Sequence, residues 1–388
     1  MILKIFFWIP AFLILHTYVI YPLLLIILDR FIKNPQQAGS EGFLPKVSVL
    51  MSVHNEEKVI AAKIKALLDS DYPAEKLEII IGSDASDDMT DKILSELNST
   101  YAGLKVKYFA CRTGKPSVIN SLAREAGGGI LIITDANVIP GKDTIRLIVR
   151  NFADKKVGLT DSRLINTGLK KDGISFPGTA YINFESKLKH IEGKLWGTMM
   201  GPFGGFYAIR TESYQPSPGT ALADDFRICM NVLKKGEKAI SDTSAVVYED
   251  ISNNLSDEFI RKVRISAGNF QNLIHFSGLL FRPFSIISFC FISHKAIRWL
   301  TPFFWFVMII ANILLLKSSF LYLLLFLLQV IFIILPPLDI FLKRINVNVV
   351  PLRFFTHLYF MNMALFVGFV RYLQGIKSGI WAPTKRYQ

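Results

Sequence analysis

Lys46-Val47-Ser48-Val49-Leu50-Met51-Ser52-Val53-His54-Asn55-Glu56-Glu57 is an apolar run that breaks off into a polar, carboxylate-bearing cluster. The same pattern recurs twice. Leu77–Gly82 runs into Ser83-Asp84-Ala85-Ser86-Asp87-Asp88, and Ile130–Thr134 runs into Asp135-Ala136-Asn137. Short apolar runs of this kind read as buried strands. Helical patterns separate them. Glu56–Ser70 places Val59, Ile60, Ile64, Leu67 and Leu68 on one face, and Asp87–Asn98 and Pro116–Ala126 follow, with a further strand at Leu104–Ala110. The alternation predicts βαβ units, a parallel sheet and right-handed crossovers. Ligands of such sheets bind at the carboxyl ends of the strands. The three acidic clusters therefore share one edge, which is a candidate site for a metal and a polyphosphate. A fourth cluster, Asp224-Asp225, lies far downstream and is expected to close that site.

Beyond Asn137 the pattern loosens. The sequence predicts helices at Thr144–Phe152, Tyr181–Lys194, Asp224–Lys235 and Asp257–Leu273. It predicts strands at Val157–Ile165 and Lys238–Val247, and a glycine-rich turn entering a strand over Gly201–Arg210. Gly236 suits the end of the Asp224–Lys235 helix.

The hydrophobic content of 51% and the mean hydropathy of +0.36 are high for a purely soluble chain. The excess sits at the two ends. Ile5–Leu28, Trp299–Leu316, Phe320–Leu335 and Phe354–Val370 are long apolar runs, of a length that crosses or nearly crosses a hydrocarbon core about 30 Å thick. Ile5–Leu28 exceeds a signal-peptide core and no small-residue cleavage site follows it, so it reads as a retained anchor. Leu279–Ser293 is interrupted by Arg282-Pro283 and reads as an interfacial helix. The net charge is +13. Its lysines and arginines gather beside the apolar ends, as at Arg30, Lys33, Arg261, Lys262, Lys343 and Arg344, which fits a cytoplasmic membrane face and anionic headgroups. No basic and aromatic stripe points to nucleic acid. Cys111, Cys229 and Cys290 give neither a disulfide framework nor a metal-ligand spacing.

The acidic clusters have a plain reading too. Each is also a turn or a helix N-terminus with favourable acids. Their alignment at one sheet edge favours chemistry. Magnesium and manganese take hard oxygen ligands, often one or two carboxylates plus substrate phosphates, and Asp135-Ala136-Asn137 offers such a set. Gly201-Pro202-Phe203-Gly204-Gly205 lacks the Gly-Lys-Ser/Thr ending of a phosphate loop and reads as backbone approaching a ligand.

Taken in order, these segments resemble a family 2 glycosyltransferase of membrane-anchored bacterial type, over roughly Pro45–Leu273. Val47–Glu57 is similar to that family's opening strand and nucleotide-binding turn, and Ile80–Thr90 to its second nucleotide segment. Arg112-Thr113-Gly114-Lys115-Pro116 with Asn120 resembles the stretch before its metal motif. Asp135-Ala136-Asn137 stands where Asp-x-Asp is expected, and Ala223-Asp224-Asp225 where Thr-Glu-Asp is expected.

The resemblance implies an α/β, GT-A-like, Rossmann-type mixed sheet with flanking helices, plus transmembrane helices at both ends. The expected layout is an anchor at 1–30, a linker at 31–45 and the catalytic domain at 46–275. An interfacial segment at 276–298, membrane helices at 299–376 and a tail at 377–388 complete it. The implied activity is inverting transfer from a nucleotide-diphosphate sugar, UDP- or GDP-linked, to a hydroxyl of a glycan or lipid-linked acceptor. Val53, Asn55, Glu56, Asp84, Lys115 and Asp135 are implied on the nucleotide. Asp135 and Asn137 are implied as ligands of Mg2+ or Mn2+, and Asp225 as the general base. Asp224, Gly204, Trp196 and Arg264 are implied on the acceptor or phosphate side. Asn137 departs from the motif by lacking the second carboxylate. Arg261-Lys262-Val263-Arg264-Ile265 keeps only Arg264 of the Gln-x-x-Arg-Trp found in processive members. The implied setting is the inner cell membrane, with the catalytic domain cytoplasmic. The charges at Lys377, Lys385 and Arg386 leave the side of the C-terminus open. Two other classes stay open as well: a transferase that loads polyprenyl phosphate, and a non-enzymatic membrane scaffold.

Overall fold

The computed structural model describes residues 1–31, 40, 42–167, 175–250, 255–282, 284–345, 347 and 349–380. Most of the expected linker and of the expected tail falls outside them. The chain divides into two compact units. One comprises Leu28–Gly168, Glu185–Ile251 and Ile376–Gln388; the other comprises Met1–Ile27, Leu169–Phe184 and Ser252–Gly375.

The first unit is built on an eight-stranded sheet. Its strands are β1 (Val47–Val53), β2 (Leu77–Asp84), β3 (Leu104–Phe109), β4 (Ile130–Thr134), β5 (Val138–Pro140), β6 (Val157–Thr167), β7 (Phe206–Arg210) and β8 (Lys238–Asp250). The order is β3-β2-β1-β4-β7-β6-β8-β5. The first four form the expected parallel half. β7 then runs antiparallel to both β4 and β6. The sheet is therefore mixed, as the family resemblance implies and as the βαβ pattern alone does not. The core explains the strand sequences. β1 and β4 are buried on both faces, so Val47, Val49, Met51, Ile130 and Ile132 pack on one side while Leu50, Leu131 and Ile133 fill the other. β3 lies at an edge and exposes Lys105 and Tyr108, the charged and alternating pattern an unpaired edge requires.

β5 is the element that the sequence did not announce. After β4 the chain turns through Asp135–Asn137 and pairs antiparallel with the end of β8, Val138 opposite Glu249. Three residues of pairing carry no periodic signal of their own.

Among the described residues four helices are long and apolar enough to cross a membrane: Ile2–Phe31, whose residues to Ile27 belong to the second unit, and Ile286–Leu315, Phe320–Arg344 and Val350–Leu373, all in that unit. Two differences from the sequence reading stand out. Leu279–Ser293 is not a separate interfacial helix. After a short helical turn at Ser277–Phe281, the helix that begins at Ile286 continues through a π-helical turn at Phe291–Ala296 into Ile297–Leu315. His294, Lys295 and Arg298 are buried side chains within this helix. Helix Leu255–His275, read as part of the catalytic domain, packs instead along Val350–Leu373 in the second unit. The two cross so closely that a Cβ at Gly368 would lie 2.4 Å from Ser266 Cβ. Asp339 is held inside this unit by Arg353 at 2.9 Å and by the Thr356 hydroxyl at 2.8 Å, so its charge is compensated.

Candidate active site

The loops after β1 and β2 are laced together at the predicted edge. Asn55 and Ala85 both adopt left-handed backbone, at φ 56° and 55°. For alanine that conformation is costly and has to be held by its surroundings. The holding bonds are visible. The Asn55 N–H donates to Ser86 Oγ, and Asn55 Oδ1 accepts from the Asp87 N–H at 3.0 Å. The Glu56 N–H donates to Thr90 Oγ1 at 2.8 Å, and the Glu57 N–H to Asp88 Oδ2 at 3.2 Å. This lacing explains why the predicted helix at Glu56 starts only at Ile60. Val53 is 2% exposed, so only its backbone is available to a ligand.

Asp84, at the end of β2, has a clear task. Its Oδ1 accepts from the Thr113 N–H at 2.7 Å and the Thr113 hydroxyl at 2.9 Å, and its Oδ2 accepts from the Gly114 N–H at 2.9 Å. The carboxylate therefore ties down the turn at Gly114, whose φ of 87° suits glycine. The next residue, Lys115, opens the helix Lys115–Glu125 and donates to Asp135 Oδ1 at 2.6 Å. Burial works to lower the Lys115 pKa, but the carboxylates of Asp135, Asp224 and Asp225 outweigh it and raise it. Lys115 thus stays an ammonium, paired with Asp135 and within electrostatic reach of Asp224 and Asp225.

The glycine-rich turn sits over the same edge. The Asp135 N–H donates to Gly205 O at 3.0 Å. Gly204 has φ 88°, and a Cβ there would lie 2.3 Å from Asp225 Oδ2, so the turn approaches this carboxylate as closely as glycine allows. Asp225 opens the helix Asp224–Lys234 and accepts from the Phe226 N–H at 2.8 Å. Burial and then the neighbouring Asp224 charge push its pKa up to about 6, with Lys115 offsetting part of the rise. A carboxylate poised near neutrality beside a cation is what a general base requires.

Sequence reasoning missed four residues here. Asp161 on β6 is 3% exposed and accepts from the Phe203 N–H at 2.8 Å, and burial pushes its pKa up to about 7. Lys189 donates to Pro202 O at 3.3 Å and lies over the Phe203 ring. Together these two hold the glycine-rich turn from behind. Lys63 is fully buried beneath the Asp135–Asn137 turn. It donates to Thr134 Oγ1 at 2.8 Å and to Val138 O, and burial lowers its pKa to about 7. Glu249 on β8 accepts from Asn137 Nδ2 at 2.9 Å. The one available signal was an ionic residue inside an apolar element, as in Val157-Gly158-Leu159-Thr160-Asp161.

Trp196 ends the helix Ser175–Trp196, and Arg264 lies on Leu255–His275 in the second unit. The geometry above includes neither. The segment beyond the last helix does reach the site: the Gly379 N–H donates to Gly219 O at 3.1 Å, and a Cβ at Gly114 would lie 3.4 Å from Gly379.

A divalent cation fits this edge in its chemistry. Asp135 is 38% exposed at its side chain, and Asn137 turns its amide nitrogen to Glu249, leaving the amide oxygen as its remaining acceptor. Among the described residues no group of three or more His, Cys, Asp or Glu side chains could hold a metal alone. An ion here would complete its shell with phosphate and water oxygens, as Mg2+ and Mn2+ commonly do.

Residues 48–215 match the family model Glycosyl transferase family 2. A probable glycosyltransferase of Bacillus subtilis, YdaM, is 28% identical over 250 residues, covering 62% of this chain and 59% of that protein. A beta-monoglucosyldiacylglycerol synthase of Nostoc is 35% identical over 129 residues, 33% of this chain and 28% of that protein. The chain thus spans well under two thirds of these relatives' length in each alignment. The mannosyltransferase PcManGT of Pyrobaculum calidifontis, solved with GDP-Man and Mn2+, superposes with a TM-score of 0.69 at 22% identity, covering 94% of this chain and 98% of that one. Residues 48–215 are a family 2 glycosyltransferase domain, and the fold is GT-A.

Proposed function

We propose that this family 2 glycosyltransferase domain moves a sugar, with inversion, from a UDP- or GDP-sugar to a hydroxyl of a lipid or glycan acceptor at a membrane surface. The observation that carries the reading is the Lys115–Asp135 pair at the strand edge, with Asp225 held against Gly204 and within the electrostatic reach of Lys115. The loops at Asn55 and Asp84 shape the nucleotide side. Lys115 stays protonated and pairs with the diphosphate. Asp225 takes the proton from the acceptor hydroxyl as its oxygen attacks the anomeric carbon, and the electron pair of the broken carbon–oxygen bond leaves with the diphosphate. General-base catalysis of this kind contributes about 10²–10⁴-fold. Asp135 and Asn137 would hold Mg2+ or Mn2+, which would supply charge neutralisation for the leaving diphosphate. Asp224 keeps the Asp225 pKa high, and Trp196 belongs to the acceptor side.

The neighbour's complex with GDP-Man and Mn2+ supports a nucleotide sugar and a divalent ion, and the Nostoc relative supports a lipid acceptor. The four apolar helices support a membrane-bound enzyme, and Arg30 and Lys33 after the first of them support an inner-membrane setting with a cytoplasmic catalytic domain. The Gly379–Gly219 bond supports a C-terminus on the catalytic side. Residues 286–373 then cross an even number of times, and Val350–Leu373, the least apolar of the three helices there, is the one that stays at the surface. The test of the activity is nucleotide release and sugar transfer across a panel of nucleotide sugars. Release with none of them, with or without a lipid acceptor, would overturn the proposal.

A further inference from the structure

We infer that Glu249 is a positioning residue for the metal motif, supplying from β8 the carboxylate that the motif lacks at Asn137. The inference rests on the metal reading above. Asn137 is 6% exposed and donates through Nδ2 to Glu249 Oε1 at 2.9 Å. An amide has a donor end and an acceptor end, whereas an ionised carboxylate only accepts. Glu249 therefore decides which way the amide points: nitrogen toward β8, oxygen away from it. A cation needs that oxygen.

The geometry is built by the fold. Val138, next to Asn137, lies opposite Glu249 in the β5–β8 pairing. The three-residue strand β5, otherwise hard to account for, holds the motif against the one β8 position that carries an acid beside it. Lys63 fixes the other side of the same loop, donating to Thr134 Oγ1 at 2.8 Å and to Val138 O. The pair Asn137–Glu249 carries one negative charge, the same as a carboxylate at 137 bonded to a neutral amide at 249. The second carboxylate has moved one step outward, from a ligand position to the group that orients the ligand. Groups that orient metal ligands typically contribute about 10–100-fold to metal affinity.

Repairing the motif therefore has an unusual expected outcome. Asn137→Asp restores Asp-x-Asp in sequence but sets two carboxyl groups at hydrogen-bond distance, where they repel one another or share a proton, and neither arrangement fixes an oxygen toward a cation as the amide does. The substitution weakens metal binding. Glu249→Gln weakens it too, because a glutamine can donate or accept and no longer fixes the Asn137 amide. The double substitution Asn137→Asp with Glu249→Gln restores it, since the amide introduced on β8 then donates to the new carboxylate.

The experiment is calorimetry of UDP and of GDP, titrated in turn into the full-length protein in detergent, with Mn2+ and with EDTA. The readout is the ratio of the two affinities. We expect the Mn2+ enhancement to fall about 10-fold or more in each single variant and to return in the double variant, while affinity in EDTA stays within a few-fold of wild type in all of them. Enhancement equal to wild type in Glu249→Gln, or stronger in Asn137→Asp alone, would overturn the positioning role and leave the metal reading intact. Wild-type protein that binds both nucleotides equally with Mn2+ and with EDTA would overturn both.

Discussion

Asp84→Asn is a nearly isosteric change whose cost can be worked from three hydrogen bonds. Asp84 is 3% exposed and accepts from the Thr113 N–H, the Thr113 hydroxyl and the Gly114 N–H, at 2.7, 2.9 and 2.9 Å. An asparagine has one accepting oxygen. Whichever way its amide turns, one backbone N–H of the Thr113–Gly114 turn faces an NH2 group. A buried donor left without a partner costs about 1–3 kcal/mol, and the surviving bonds fall from charge-assisted to neutral strength. The total is about 3 kcal/mol, roughly 10²-fold in an equilibrium constant. The damage falls on Lys115, because the Gly114 turn aims the start of its helix. Nucleotide-diphosphate affinity by calorimetry should therefore drop about 100-fold. Asp84→Asn added to Lys115→Ala should cost much less than it does alone, since groups acting through one another are not additive. Wild-type affinity in Asp84→Asn would refute the reasoning. Full additivity with Lys115→Ala would show that Asp84 acts on the nucleotide itself and not through the turn.

Other outcomes follow from the same geometry. Burial and the Asp224 charge raise the Asp225 pKa to about 6, and a base must be ionised to work. The acid limb of kcat/KM should therefore fall as pH drops through about 6, and Asp224→Asn should move that limb to lower pH. Gly204→Ala puts a Cβ 2.3 Å from Asp225 Oδ2 at a φ of 88°, so kcat should fall at least about 10-fold with nucleotide affinity unchanged. Ser378→Cys, in a Cys111→Ser background because Cys111 is the exposed cysteine, should react with an impermeant maleimide only from the cytoplasmic side. Labelling from the opposite face would break the link between Gly379 and the catalytic unit.

How much of this was readable in the chain depends on the range of the interaction concerned. Ile130–Thr134 is a strand in the structure with the bounds read from sequence, because an unbroken apolar run flanked by glycines and an acid has few other solutions. The positions of Asp84 and Asp135 were legible for the same reason, since a polar group at the end of a buried strand sits at the sheet edge, whereas Asp225, at the start of a helix, was singled out by the Ala223-Asp224-Asp225 resemblance. Their partners were not. Nothing local in Val138–Pro140 announces a strand, since its pairing is made by a segment far downstream, at Val247–Glu249. Glu249, Asp161 and Lys189 are likewise assigned by the far side of the sheet. Lys63 has the sequence setting of a solvated lysine on an amphipathic helix, yet it is 0% exposed and binds the loop from Thr134 to Val138. Leu279–Ser293 misled in the opposite direction: Arg282-Pro283 suggested a separate short helix, whereas the helix that begins at Ile286 runs on through Phe291–Ala296 into Ile297–Leu315.

The central claim is that Asp225 is the base of a metal-assisted sugar transfer. The measurement that tests it most directly is nucleotide release and product formation by purified membranes across a panel of UDP- and GDP-sugars. It is run with and without Mn2+ or Mg2+, comparing wild type with Asp225→Asn. Metal-dependent release is expected with at least one donor, reduced about 10²–10⁴-fold in Asp225→Asn while nucleotide affinity is kept. Release unchanged in Asp225→Asn would contradict the claim.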